Sequence, residues 1–159
     1  PEGNRRPLAR RGDSPSIWYK DFSDMERPIR GEQLGSFDGA VSPKGANGEP
    51  MPLWDRITGA IDPKVAEHWK KYDIGLTLRE NVKALSPKLR GKIHVYMGDK
   101  DTFYLEGAAI LLRDDLAKLP YEAKVEIHPG DHGSVMTSAL TQRIDKEMAS
   151  QFRSKSGTN

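Results

Sequence analysis

The fold of this chain is decided by two stretches, Lys-Ile-His-Val-Tyr-Met-Gly-Asp-Lys-Asp at 92–101 and Ala-Lys-Val-Glu-Ile-His-Pro-Gly-Asp-His at 123–132. Residues 93–97 and 125–127 are rich in strand formers, and glycine or Pro-Gly closes each run. Between them, apolar residues at three- and four-residue steps mark one face of a helix: Leu105, Ala108, Ala109, Leu112, Leu116 and Leu119. This order predicts a βαβ unit with two parallel strands and a helix over one sheet face.

Acidic and histidine side chains follow both predicted strands. Asp99 and Asp101 come after the first strand, and Asp131 and His132 come after the second. In open parallel sheets, functional groups gather just beyond the carboxyl ends of the strands. The sequence therefore predicts that an acid and a histidine meet at one edge of the sheet.

Composition excludes several classes of function. The chain has 159 residues, enough for one domain with a stable core, and its net charge of +2 gives no reason to expect a nucleic-acid surface. It contains no cysteine, which excludes disulfides and zinc–thiolate sites. No run approaches the roughly 18 apolar residues that cross a bilayer, so we expect no membrane insertion.

Residues 1–60 differ from the rest of the chain because glycine and proline recur every few residues. We predict an extended, loop-rich arm that is pinned by apolar anchors: Ile17, Trp18, Tyr19, Phe22, Leu53 and Trp54. The arginines at 5, 6, 10 and 11 are interpreted as a solvated basic tail.

Residues 61–153 are predicted to form the folded α/β part, and residues 154–159 a polar tail. Asp62 is a good N-cap and Pro63 suits the first helical position, which predicts a helix from there to about Asp73. A second helix is expected over 77–85, ended by Ser86-Pro87. After His132 a final helix carries one apolar stripe: Met136, Leu140, Ile144, Met148 and Phe152.

Asp101 and His132 together indicate nucleophilic catalysis. A serine hydroxyl is a weak nucleophile at neutral pH and needs a base, and a carboxylate holds that base in the required tautomer. The α/β-hydrolases carry these groups in the order Ser, Asp or Glu, His. In such an enzyme a carboxylate oxygen of Asp101 would lie within roughly 3 Å of a ring nitrogen of His132.

The amino-acid sequences of the two loops resemble those of one branch of that superfamily. Gly-Asp-Lys-Asp-Thr-Phe-Tyr-Leu-Glu-Gly at 98–107 resembles the acid loop of the esterase D and enterochelin-esterase-like α/β-hydrolases, and Pro-Gly-Asp-His-Gly-Ser at 129–134 resembles their histidine loop. The resemblance covers about residues 60–152. It implies that Asp101 is the triad acid and His132 the base, acting on a small ester without a metal or cofactor. Asp99 would brace the acid loop, and Asp131 would orient the histidine loop or cap the last helix.

The chain departs from this family in lacking a Gly-x-Ser-x-Gly pentapeptide. The nearest match, Gly-Asp-Ser-Pro-Ser at 12–16, lacks the final glycine, and we predict no strand before it. We therefore expect the chain to be the C-terminal part of a hydrolase domain, forming the last two strands of its sheet. The remaining strands, the serine and the oxyanion hole would lie upstream of Pro1, and residues 1–159 alone would be inactive.

Two other functions fit the same residues. A metal-dependent phosphoesterase would use oxygen and imidazole ligands from the two loops: Asp99, Asp101, His128, Asp131 and His132. A non-catalytic binding module of hydrolase-like fold would use the aromatic segment around Trp18 and Trp54. Among the other histidines, His128 is a rival base, whereas His68 and His94 are interpreted as structural.

Overall fold

A computed structural model describes residues 6–26 and 33–156, with side chains up to residue 153. The strands are β1 (Pro7–Arg11), β2 (Ser14–Trp18), β3 (His94–Gly98) and β4 (Lys124–His128). The α-helices are α1 (Tyr19–Glu26), α2 (Gln33–Val41), α3 (Pro63–Trp69), α4 (Ile74–Glu80), α5 (Val82–Leu89), α6 (Glu106–Leu116) and α7 (Ser138–Ser156), with a 3-10 turn at Lys70–Tyr72 after α3. No helix within these residues is long and apolar enough to cross a membrane.

β3 and β4 pair in parallel, and α6 connects them. Their register runs from His94 opposite Lys124 to Gly98 opposite His128. The predicted parallel βαβ unit is confirmed. The described chain is a mixed α/β structure with this parallel sheet and a separate antiparallel hairpin, β1–β2.

The main core lies on the α6 side of the parallel sheet. Leu78 of α4, Leu116 of α6 and Tyr121 form its centre, and the Tyr121 hydroxyl donates to the backbone carbonyl of Leu78 at 2.7 Å. That hydrogen bond satisfies a phenol that is otherwise removed from water, which makes its burial tolerable. Half-buried apolar side chains surround this centre: Val82, Leu85, Leu89, Ile93, Leu112, Leu119, Ala123 and Val125.

The opposite face of the parallel sheet is polar. Alternate strand residues point to opposite faces, and the residues of β3 and β4 on this face are mostly polar. Glu147 of α7 approaches this face: Lys124 Nζ donates to it at 2.8 Å, and Tyr96 Oη also donates to it. The Nδ1 of His94 lies 3.2 Å from the same carboxylate. Arg143, one turn earlier on α7, binds Glu126 of β4. Ion pairs and hydrogen bonds therefore hold α7 against the sheet.

The apolar stripe predicted for the last helix does not describe how α7 packs. Leu140 is buried, but Met136 and Met148 are exposed. The sheet face that α7 meets carries polar side chains, so Arg143 and Glu147 are the residues turned toward it. The partner surface, rather than the hydrophobic pattern of the helix, selects the buried side.

The helices before β3 begin largely where expected. The Asp62 side chain accepts from the backbone N–H groups of Lys64 and Val65, at 2.8 and 3.1 Å, with proline at the first helical turn. The single helix expected over 77–85 is instead two, α4 and α5, and Asp73 caps the first of them. The expectation that Ser86-Pro87 stops the helix was wrong, because α5 continues through this dipeptide to Leu89.

Residues 7–26 and 33–41 are more regular than the extended arm predicted for 1–60. The structure contains the β1–β2 hairpin and helices α1 and α2, and a turn residue, Gly12, has a φ of 60°. Register shifts between Pro7 and Arg10 interrupt the hairpin pairing, which explains why the sequence shows no clean alternation. Residues 42–61 remain loop-rich, with two isolated bridges. The arginine at position 5 and the tail from 157 onward lie outside the described residues.

Acidification tests the polar cluster beneath α7. Hydrogen bonds from Lys124, Tyr96 and His94 lower the pKa of Glu147 from 4.5 to about 2. A carboxyl whose pKa is lower when folded stabilises the fold above its unfolded pKa, and this contribution disappears as pH falls through the folded value. We expect Glu147→Gln to lower the free energy of unfolding at pH 7. The difference in this free energy between the variant and wild type should shrink as pH falls from 4.5 to 2.

Urea unfolding midpoints measured across that range provide the readout. Glu49→Gln is the matched control, because Glu49 is exposed and its side chain forms no ion pair within the described part of the chain. A difference between wild type and Glu147→Gln that stays constant from pH 7 to 2 would contradict the role given to Glu147.

Candidate active site

The structure brings Asp101 and His132 into direct contact. The Nδ1 atom of His132 lies 2.7 Å from Oδ2 of Asp101. Each residue follows one of the two parallel strands, so pairing of β3 with β4 delivers both to the same edge of the sheet. Asp101 is 1 % exposed as a residue, whereas the His132 side chain is 53 % exposed. The pair has a buried acid and an accessible imidazole.

Asp101 is held as a carboxylate by the groups around it. Burial raises the pKa of Asp101, but the hydrogen bond with His132 and backbone N–H groups from Phe103 and Leu105 outweigh burial, so the net pKa lies below its ordinary value. The two N–H groups reach Oδ1 at 2.8 and 3.3 Å. Both carboxylate oxygens are therefore occupied, and only Oδ2 serves His132.

The orientation of His132 is suited to proton transfer to its outer nitrogen. The carboxylate of Asp101 is an acceptor, so it selects the neutral tautomer with the proton on Nδ1 and a lone pair on Nε2. The ring of Phe103 stands nearly perpendicular to the imidazole, with centroids 5.1 Å apart. No polar group of the described residues hydrogen-bonds to Nε2.

Close backbone contact locks the acid and histidine loops together. The N–H of Asp99 donates to the carbonyl of His128 at 2.7 Å, and the N–H of Lys100 donates to the carbonyl of Gly130 at 3.0 Å. The Asp99 carboxylate also accepts from the N–H of Gly130 at 2.9 Å. Asp99 thus braces the loops, the role that the resemblance implied for it. A Cβ on Gly98 would lie 2.4 Å from the Gly130 carbonyl oxygen, so only glycine fits there.

Asp131 shapes the histidine loop. Its Oδ1 accepts from the backbone N–H groups of Gly133 and Ser134, at 3.0 and 2.8 Å, and from the Ser134 hydroxyl at 2.8 Å. Of the two roles considered for Asp131, the structure shows the first, orientation of the loop. The cap of α7 is instead Thr137, whose Oγ1 accepts from the N–H of Leu140 at 3.2 Å.

Arg10 is a site residue that the sequence did not reveal. Its backbone N–H donates to the carbonyl of Thr102 at 2.8 Å, and its Nε donates to the carbonyl of Asp101 at 3.0 Å. Its Nη2 pairs with Glu106 at 2.7 Å, and its guanidinium lies 4.7 Å from the ring centroid of Tyr104. Tyr104 has a φ of 60°, a strained conformation for a tyrosine. The hairpin therefore clamps a strained acid loop, and the interpretation of Arg10 as part of a solvated tail was wrong.

The other histidines take separate positions. The Nε2 of His128 lies 2.8 Å from Glu126, on the polar face of the sheet. His94 contacts Tyr96 on the same face, and His68 lies beside Tyr72 on the helical segment. In residues 6–26 and 33–156, no three His, Asp or Glu side chains converge as metal ligands. The five residues considered for a metal site are thus divided among different contacts.

Comparison with known proteins provides no family for this chain. No family model, curated protein or solved structure matches it significantly. The functional argument therefore rests on the geometry of the Asp101–His132 pair.

Gly98 offers a test of the loop contact. We expect Gly98→Ala to lower the free energy of unfolding by about 1–3 kcal/mol, because its Cβ would force the Gly130 backbone away. The control is Gly107→Ala, which adds the same methyl group in α6, where nothing lies within 4 Å. Urea unfolding measures both variants, and equal stability of the two would contradict the contact.

Arg10 offers a test of the hairpin clamp. We expect Arg10→Ala to speed hydrogen exchange at the amides of Phe103 and Leu105, because their acceptor, Asp101, loses its backbone anchor. Arg11→Ala is the matched control, since Arg11 is the exposed neighbour in β1. Unchanged exchange at both amides in Arg10→Ala would show that the acid loop holds its shape without the hairpin.

Proposed function

We propose that this chain supplies the acid and the histidine of a Ser-Asp-His triad in a carboxylic-ester hydrolase. The supporting observation is the 2.7 Å contact between a buried Asp101 and an accessible His132 at the carboxyl edge of parallel strands. In this proposal the chain is the C-terminal part of an α/β-hydrolase domain. The resemblance of its two loops to the esterase D and enterochelin-esterase-like branch supports the same assignment.

In this proposal the two side chains carry out separate chemical steps. The Nε2 atom of His132 takes the proton of a serine hydroxyl as that oxygen attacks the ester carbonyl, and then returns it to the departing alcohol oxygen. A water molecule then attacks the acyl-serine in the same way, with Nε2 as the base, and the carboxylic acid product is released. Asp101 keeps Nδ1 protonated throughout and stabilises the imidazolium that forms after each transfer. Its lowered pKa keeps it ionised for this task.

The serine belongs, in this proposal, to a segment upstream of Pro1. Among the described residues, no serine hydroxyl hydrogen-bonds to Nε2 of His132. Ser134, the nearest serine in sequence, exchanges hydrogen bonds with Asp131 instead. Residues 1–159 alone would consequently not hydrolyse esters, because a base accelerates attack only on a hydroxyl held within its reach.

Substitution of the base tests the proposal in the complete protein. We expect His132→Ala to lower kcat for a small activated ester such as p-nitrophenyl acetate by about 10⁴-fold or more, because triad members act as a unit. EDTA should leave the activity unchanged.

His128→Ala is the matched control, because His128 contacts Glu126 on the sheet face. It should retain kcat within about tenfold of wild type. Activity that survives His132→Ala, or that disappears with EDTA and returns with Mn²⁺ or Zn²⁺, would overturn the serine-hydrolase proposal.

A further inference from the structure

A cleft lies between helix α1 and the loop at 53–61. Its volume is about 350 Å³, which is in the range of small-molecule sites. Tyr19 and Ser23 line it from the α1 side, and Trp54, Arg56 and Ile57 line it from the loop. None of these residues takes part in the proposed hydrolase chemistry.

Two polar atoms of this cleft are buried without a hydrogen-bond partner in the described structure. Ser23 is only 6 % exposed, and its Oγ has no partner. Arg56 binds Asp38 through Nη2 at 2.5 Å, while its Nη1 is buried and unpaired. Buried polar groups are rarely left unpaired, since each then loses its hydrogen bonds to water without replacement. Both atoms can donate hydrogen bonds, and both belong to residues that line the cleft.

The remaining walls are aromatic and apolar. The rings of Tyr19 and Trp54 meet edge to face with centroids 6.2 Å apart, and the Arg56 guanidinium lies 3.9 Å from the Trp54 centroid. This stacking and the Asp38 ion pair hold Arg56 in place without a ligand. Ile57 is largely exposed, which leaves apolar surface for a ligand to cover.

The charged side chains around the cleft nearly balance one another. Arg6 lines it, and its guanidinium lies 6.0 Å from the Tyr19 ring centroid. The Asp55 carboxylate also lines it, but Oδ1 is occupied by the N–H groups of Ile57 and Thr58. Lys20 forms an ion pair with Asp24. Asp38 matches the charge of Arg56, and the negative charge of Asp55 offsets that of Arg6. The unpaired donors of Ser23 and Arg56, rather than the net charge, therefore favour a carboxylate, which only accepts hydrogen bonds.

We propose that this cleft binds a small carboxylate that carries an aromatic or apolar body. The carboxylate accepts hydrogen bonds from Ser23 Oγ and Arg56 Nη1, and the body covers Trp54 and Ile57. The proposal is independent of the hydrolase assignment, because it uses neither Asp101 nor His132.

Titration with 2-naphthoate tests the cleft, and 2-naphthylmethanol serves as the neutral analogue of similar shape. Nuclear magnetic resonance of the protein should show the indole N–H of Trp54 shifting with 2-naphthoate while that of Trp69, which donates to Ser42, stays unchanged. Ser23→Ala should weaken binding by about tenfold, because it removes a hydrogen bond to a charged group. Ser16→Ala, an exposed serine of β2, should bind as wild type does.

Ile57→Glu provides a second variant at an exposed position, where folding tolerates a charge. It should weaken the binding of 2-naphthoate more than that of 2-naphthylmethanol, because both lose the apolar contact but only the anion is repelled by the added carboxylate. The proposal is overturned if the alcohol binds wild type as tightly as the carboxylate. It is also overturned if Ser23→Ala keeps wild-type affinity, or if no saturable shift of Trp54 occurs.

Discussion

The close backbone contact between Gly98 and Gly130 is the constraint on which the candidate site depends. The parallel pairing of β3 and β4 continues beyond the strands through the N–H groups of Asp99 and Lys100. This continuation brings the backbones of the acid loop and the histidine loop so close that a Cβ at position 98 would not fit between them. Because the loops are fixed to each other, Asp101 and His132 reach hydrogen-bond distance without relying on side-chain flexibility.

The carboxylates of Asp101 and Glu147 lie in contrasting environments. Asp101 is buried, and one histidine and two backbone N–H groups compensate its charge. Glu147 lies at the sheet face, where its carboxylate forms hydrogen bonds with Lys124, Tyr96 and His94. The second arrangement supplies Glu147 with three hydrogen-bonding partners and holds α7 in place. The first leaves the outer nitrogen of His132 accessible, which is why the function is assigned to that pair.

The N-terminal hairpin supports the acid loop from a distance in sequence. Arg10 binds the backbone of Asp101 across 91 residues and neutralises Glu106 at the start of α6. Asp13, next to the hairpin turn, adds an ion pair to Lys100 at 2.9 Å. The strained φ of Tyr104 persists because its surroundings fix it, as is common where a loop positions a functional group. The hairpin is therefore part of the support of the acid loop.

The sequence by itself determined the βαβ unit, its parallel pairing and the meeting of Asp101 with His132. These follow from local strand and helix patterns and from a rule that relates strand ends to one sheet edge. Only the tertiary structure decided the role of Arg10, the polar packing of α7 and the unpaired atoms of Ser23 and Arg56. Each of these depends on contacts between segments distant in sequence, and no local periodicity encodes which polar side chain meets which partner.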